Sequence, residues 1–325
     1  MPGWGDILKE VQETHNPQTG AVDFDGVRRK YLTKLHELTG RSTVLYATDW
    51  IGGGGGLAAS VTLQDMQGLM EVFRDLPGPN LDLILHSPGG SAEAADRLVR
   101  YMRSKYYHVR VFVPLAAMSA ATMWALGADE IVMGKHSQLG PIDPQLVINN
   151  YPVPASALVR QFQRISDECS ADPTRLSAWL PTLQQYWPGL LEICTDADEL
   201  GRSLVEQWLS TYMLSAHQDK AQLAKSIANY FADSEHHRSH SKAIDRDEAR
   251  AQGVVIQDLE RDQVLQDAVL SVHHATMITL QTQTVKIIEN HLGRTFAVQQ
   301  MQQVVQMPGQ SFPKPPVMVP GQPQP

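Results

Sequence analysis

Two short loops of this 325-residue chain carry residue types that can do chemistry at a strand-to-helix turn. The first is His86-Ser87-Pro88-Gly89-Gly90-Ser91. Its paired glycines permit a sharp turn and free backbone amides to meet a carboxylate or a developing oxyanion. A tight turn that binds nothing would use the same residues. The second loop is Ala116-Ala117-Met118-Ser119-Ala120-Ala121-Thr122. A serine among small residues at such a turn has the steric freedom of a nucleophile elbow, with alanines where hydrolases commonly carry glycine. The commoner use of a serine there is to cap the helix. As a nucleophile Ser119 would need a base, because its own pKa is far too high at neutral pH. The Ala120 amide would then be an oxyanion donor.

Several basic side chains follow. Lys135 and His136 come soon after the serine, and no lysine occurs between Lys135 and Lys220. Further on, His236-His237-x-x-His240 places two histidines at i, i+4 spacing. Without an intervening acid or a third ligand this is an incomplete zinc pattern, so no metal site is expected. His236 and His237 read as a solvated polar turn. The run Gly52 to Gly56 lacks the Gly-Lys-Ser/Thr ending of a phosphate-binding loop, and no cofactor is expected.

The elements that must hold these loops alternate. Residues 1–40 form a helical lead-in with Val27, Tyr31, Leu32 and Leu38 at helical spacing. Ser42 to Ala47 reads as a strand. A helix follows Thr62, with Asp65 in its first turn and Met66, Leu69, Met70 and Phe73 as its apolar face. Leu81 to Leu85 is a strand, Ser91 opens a second helix, and Val109 to Val113 and Glu130 to Met133 are further strands around a buried helix from Ser119 to Gly127. Such alternation predicts strand-helix-strand units on a largely parallel sheet over 41–150. Residues 151–235 read as a helical insertion. The segment 236–295 returns to the core with the histidine segment, a short helix over Asp245 to Gln252, a last strand at Val254 to Gln257, and a long helix from Arg261 to about Leu292. Residues 296–325 read as a disordered tail rich in proline and glutamine, with seven prolines between Pro308 and Pro325.

Composition narrows the function. Hydrophobic residues make up 42% and charged residues 19%, as in ordinary globular proteins. A formal charge of -8 argues against binding nucleic acid through its phosphates. The two cysteines, Cys169 and Cys194, cannot build a disulfide framework, which fits a reduced, cytoplasmic setting. No secretory leader is expected from the start of the chain. Val111 to Ala128 holds 18 residues without a charge, the lower limit for a membrane span. Pro114, Ser119 and Gly127 punctuate it, so a buried strand and helix are expected instead.

Four blocks in order resemble the serine dehydrogenase proteinase family of the Clp-protease/crotonase superfamily, related to signal peptide peptidase A. They are His86 to Gly90, Ala117 to Thr122, Ala128 to Met133, and Ser137-Gln138-Leu139-Gly140-Pro141-Ile142-Asp143-Pro144-Gln145. The likeness runs from about Val44 to Gln145 and resumes at Ser239-His240-Ser241-Lys242-Ala243-Ile244. It implies an α/β crotonase-like fold of repeated strand-helix units, here with an added helical section and a C-terminal long helix. It implies a serine peptidase acting through an acyl-enzyme on Ser119, with Gly89 or Gly90 and Ala120 as oxyanion donors. Clp peptidases carry a histidine where this chain has Asp143-Pro144, and the resembling family's order of Ser, Asp, His points to Asp143 and His240. Lys135 and His136 are the alternative bases. The resemblance also implies a peptide or protein substrate, a homo-oligomer, and substrates that can lie near a membrane. A crotonase-type acyl-CoA enzyme and a catalytically inactive scaffold or partner-binding subunit are the alternative readings.

Overall fold

A computed structural model describes residues 3–52, 56–148 and 151–300. Its centre is a seven-stranded sheet. The strand order is Ile256–Asp258, Glu130–Met133, His108–Val113, Asn80–His86, Ser42–Thr48, Thr284–Asn290 and Thr295–Gln299. The first five pair in parallel, and the last two join by antiparallel pairing. Strands buried on both faces read as near-continuous apolar runs, which is why Leu81 to Leu85 and Val109 to Val113 stood out. The one charge in the former, Asp82, is fully buried and held by Arg41 at 2.6 Å and Arg110 at 2.8 Å.

Helices cover both faces. Trp4–Glu13, Phe24–Thr39 and Gln263–Leu280 bury Ile7, Leu32, Leu35, Val269 and Val272 against Leu45, Ile84, Phe112 and Val132. On the other face Asp65–Val72, Ala92–Lys105 and Ala120–Leu126 pack Leu69, Leu98 and Trp124 against Val44, Leu83 and Val111. Met70, expected on the apolar face of its helix, is exposed. Ser91 caps its helix by accepting the Ala94 amide at 3.0 Å. The charge-free run from Val111 to Ala128 divides into a strand and a short helix, nearly all of it buried. Among the described residues no helix is long and apolar enough to cross a membrane.

The helical insertion contains Ala155–Ala171, Leu176–Leu183, Leu190–Thr211 and Lys220–Ala232. Its later helices are part of the main core through Val205, Trp208, Ile227 and Phe231. A hairpin of Gln145–Ile148 and Tyr151–Pro154 leads into it, where no strand was expected.

The expected helix over Arg261 to Leu292 is corrected. It runs from Gln263 to Leu280, and the chain then returns as two strands, Thr284–Asn290 and Thr295–Gln299. Two charges, Lys286 and Glu289, interrupt the apolar run that would have announced a buried strand. Both are buried and paired. Lys286 donates to Asp65 at 2.6 Å and to the Ser60 carbonyl at 2.8 Å, while Tyr46 donates to the same carboxylate at 2.8 Å. Glu289 takes Arg28 at 2.5 Å and Arg29 at 2.6 Å. The expected tail boundary at 296 is likewise corrected, since Phe296 to Gln299 lie in the edge strand. Its remainder from 301, and Gly53 to Gly55 of the glycine run, lie outside the described residues.

Removing one member of a buried pair strands the other charge, so Lys286→Met is expected to cost about 3 kcal/mol in urea unfolding. A pH dependence follows from buried histidines. Burial pushes His86 down to about 4. His273 falls well below its ordinary value through burial and the neighbouring His86, His274 and His136. Between about pH 6.5 and about pH 4 the unfolded chain binds more protons than the folded one, so stability falls as pH falls. His86 alone accounts for about 3 kcal/mol across that window, and urea titrations of His86→Phe should show a shallower slope.

Candidate active site

Ser119 sits at the junction of Ala116–Ala117 and the helix Ala120–Leu126 with φ 51 and ψ -123. A positive φ is costly for a residue with a Cβ and persists only where its surroundings enforce it. Ser119 does not fill the capping role common at such a turn, because its side chain makes no cap hydrogen bond. No partner of its hydroxyl is found among the described residues, and the residue borders a cavity of about 520 Å³.

The elbow is held from two sides. Gly89, at φ 92, lies so close that a Cβ there would stand 2.4 Å from the Met118 carbonyl and 2.7 Å from the Ser119 Cβ. The Ser87 backbone donates to the Ala116 carbonyl at 3.1 Å and accepts from Met118 at 3.0 Å. Inside the following helix, the Thr122 hydroxyl donates to the Ala117 carbonyl at 2.7 Å and accepts the Gly140 amide at 3.0 Å. Thr122 thereby ties the serine loop to the loop that carries Asp143. Its sequence signal is a hydroxyl inside an otherwise apolar helix.

A small three-stranded sheet gathers the distant residues. Ala116–Ala117 pairs in parallel with Gln138–Leu139, which pairs antiparallel with Ile244–Asp245. Ser119 leaves the first strand, Asp143 follows the second, and His240 precedes the third. His240 Nδ1 lies 2.8 Å from Asp143 Oδ1. Asp143 is only 2% exposed, and its other oxygen accepts from the Gln145 amide at 2.7 Å. An ionised carboxylate only accepts, so the neutral imidazole tautomer that fits this contact carries its proton on Nδ1 and its lone pair on Nε2. Gln145 was not singled out from sequence, although it ends the fourth of the resembling blocks.

His240, Ser119, Gly89, Gly90 and Ala120 line the same cavity, and no direct hydrogen bond joins His240 to Ser119. The three glycine and alanine amides differ. Gly89 donates to the Ser87 hydroxyl at 3.2 Å, whereas the amides of Gly90 and Ala120 have no acceptor among the described residues. Ile142, Leu146, Ile193 and Leu200 form much of the remaining wall, so the hairpin and the insertion complete the cavity. Among the described residues no lysine or arginine lines it. Lys135 is exposed, and His136 borders a different cavity. His237 is not solvated as expected: it is buried, donating Nε2–H to the Tyr230 carbonyl at 2.7 Å. No group of three histidine, cysteine or acidic residues among the described ones could hold a metal.

These features define an α/β protein with a strained serine and a histidine–aspartate pair around one cavity. Residues 54–178 match the family of ClpP-like SDH-type serine proteinases. Two uncharacterized proteins of Methanocaldococcus jannaschii are similar. One is 30% identical over 170 residues, 49% of this chain and 58% of the relative. The other is 35% identical over 114 residues, 33% of this chain and 37% of the relative. The chain thus spans less than two thirds of the length of these relatives. Among solved structures it is similar to two variants of the 1510-N membrane-bound stomatin-specific protease. One is 17% identical with TM-score 0.35, covering 63% of this chain and 76% of the other. The second, in complex with a substrate peptide, is 16% identical with TM-score 0.37, covering 63% and 72%.

Relief of the positive φ offers a test of the elbow that needs no substrate. Ser119→Gly should raise the melting temperature, by about 1 kcal/mol of stability, while Gly89→Ala should lower it by at least about 2 kcal/mol. An unchanged melting temperature in both would mean the elbow is not strained.

Proposed function

We propose that the chain is a serine endopeptidase that hydrolyses peptide bonds through an acyl-enzyme on Ser119. One observation carries the reading. The unpartnered hydroxyl of a positive-φ serine faces the same cavity as a histidine whose far ring nitrogen is fixed by a buried aspartate.

In this mechanism Ser119 Oγ attacks the scissile carbonyl carbon while His240 Nε2 takes the hydroxyl proton. Asp143 orients the imidazole and stabilises its charged form, with Gln145 holding the carboxylate. The carbonyl oxygen, now an oxyanion, takes the free amides of Gly90 and Ala120, each contributing on the order of 3 kcal/mol. The imidazolium then protonates the leaving amine, and a water activated by the same nitrogen releases the acyl group. The Ser119–His240 hydrogen bond forms when substrate closes the site, a common feature of enzymes whose apo geometry is loose. The apolar wall of Ile142, Leu146, Ile193 and Leu200 favours apolar side chains beside the scissile bond.

The acyl-CoA alternative has less support, because a CoA diphosphate would meet no lysine or arginine among the described residues of the cavity. A serine–lysine dyad is disfavoured for the same reason. The scaffold alternative leaves the strained serine and the buried aspartate–histidine pair without a use. Homo-oligomeric assembly, a cytoplasmic setting and substrates near a membrane belong to this proposal as the family resemblance suggests them.

Active-site labelling with a fluorophosphonate, followed by a peptide-library digest, decides the matter. Labelling should map to Ser119 and vanish, with turnover, in Ser119→Ala. Asp143→Asn should lower kcat by about 10⁴ with the fold intact. Label on another residue, or full activity in Ser119→Ala, would sink the proposal.

A further inference from the structure

A second cavity, of about 580 Å³, lies on the opposite side of the sheet from the small helix that follows Ser119. The helices Trp4–Glu13 and Gln263–Leu280 and the loop after Thr48 enclose it. Its walls are mainly apolar, with Trp4, Pro114, Leu115, Leu270 and Met277. Thr48 Oγ1 and Trp50 Nε1 on its lining are buried without a hydrogen-bond partner, and the buried His86 imidazole has only the Ala116 backbone beside it, outside good hydrogen-bond geometry. His86 is 0% exposed. Buried polar atoms in native interiors are nearly always paired, and three such side chains lining one cavity form a set of groups that a single polar occupant would satisfy.

We propose that this cavity binds a small uncharged molecule with an aromatic or alkyl body and one head group that both accepts and donates hydrogen bonds, such as an alcohol, a phenol or a primary amide. The head group follows from the orphaned atoms. Trp50 Nε1–H can only donate, so the ligand must present an acceptor. A neutral His86 offers one N–H and one lone pair, and the Thr48 hydroxyl can complete either bond. Charge excludes the alternatives. Among the described residues no lysine or arginine lines the cavity, and Asp49 on its lining repels an anion. His86, His273 and His274 are held neutral at pH 7 by burial, so they supply no cation for a carboxylate. The four histidines that include His136 do not converge on a metal, since no metal-holding group of three exists among the described residues. His86 directly precedes Ser87, whose hydroxyl holds the Gly89 amide, so the cavity shares a loop with the Ser119 site. Ligand binding itself does not rest on the peptidase reading.

Benzamide and hexanol, titrated into the full chain by ligand-observed NMR with tryptophan fluorescence alongside, test the proposal. Benzoate and benzylamine serve as charged counterparts. The uncharged probes should bind, and the charged ones at least about tenfold more weakly. Thr48→Val and Trp50→Phe should each weaken benzamide by about tenfold, and Leu270→Trp, which fills the space, should abolish binding. Melting curves confirm that each variant is folded, and Thr48→Val carries the test if Trp50→Phe is not. No saturation by either uncharged probe below about 10 mM, equal or tighter binding of benzoate, or unchanged affinity in folded Thr48→Val would overturn it.

Discussion

The candidate site depends on a sheet only two residues long per strand. Pairing of Ala116–Ala117 with Gln138–Leu139, and of that strand with Ile244–Asp245, brings three separate stretches of chain into one register. Without those few backbone bonds, Ser119 and His240 would belong to different regions of the molecule. Thr122 reinforces the first junction by bonding to both the Ala117 carbonyl and the Gly140 amide. The Ile142 amide, bonded to the Phe231 carbonyl at 2.9 Å, anchors the loop before Asp143 to the helical insertion. The insertion is therefore part of the site's support as well as its wall.

The rest of the molecule supplies rigidity against the costs concentrated there. A serine at positive φ and a buried carboxylate are both unfavourable by themselves. Each is tolerated because its neighbours leave it no alternative: Gly89 against the elbow, Gln145 and His240 on the aspartate. Larger buried ionic clusters do the same for the outer sheet. Asp65 with Lys286 and Tyr46, and Glu289 with Arg28 and Arg29, fasten the late strand Thr284–Asn290 to elements from the beginning of the chain. Apolar side chains would fill those places at lower desolvation cost, whereas loss of one member of a pair would leave the other charge buried and alone.

Much of the parallel half of the fold was legible because its signals are local. Apolar runs such as Leu81 to Leu85, turn glycines and capping residues such as Ser91 act within a few positions, and each element appeared where those signals placed it. The antiparallel half was not legible. In Thr284 to Asn290 the charges Lys286 and Glu289 break the apolar run of a buried strand, and the ion-pair partners that let them be buried lie more than two hundred residues away. The hairpin before the insertion was missed for a related reason, as its strands are four residues each and contain Pro152 and Pro154.

By itself the sequence determined which residue types could do chemistry and what local geometry each would adopt: a serine between small neighbours, paired glycines, an acid before a proline. The family resemblance pointed to His240 as the partner of Asp143, but only the tertiary structure decided that the two meet at 2.8 Å, which glycine amide is free, and that His136 faces a different cavity. The physical reason is range. Steric and propensity effects act over a few residues, whereas a hydrogen bond between His240 and Asp143 spans 97 positions and exists only once the small sheet has closed.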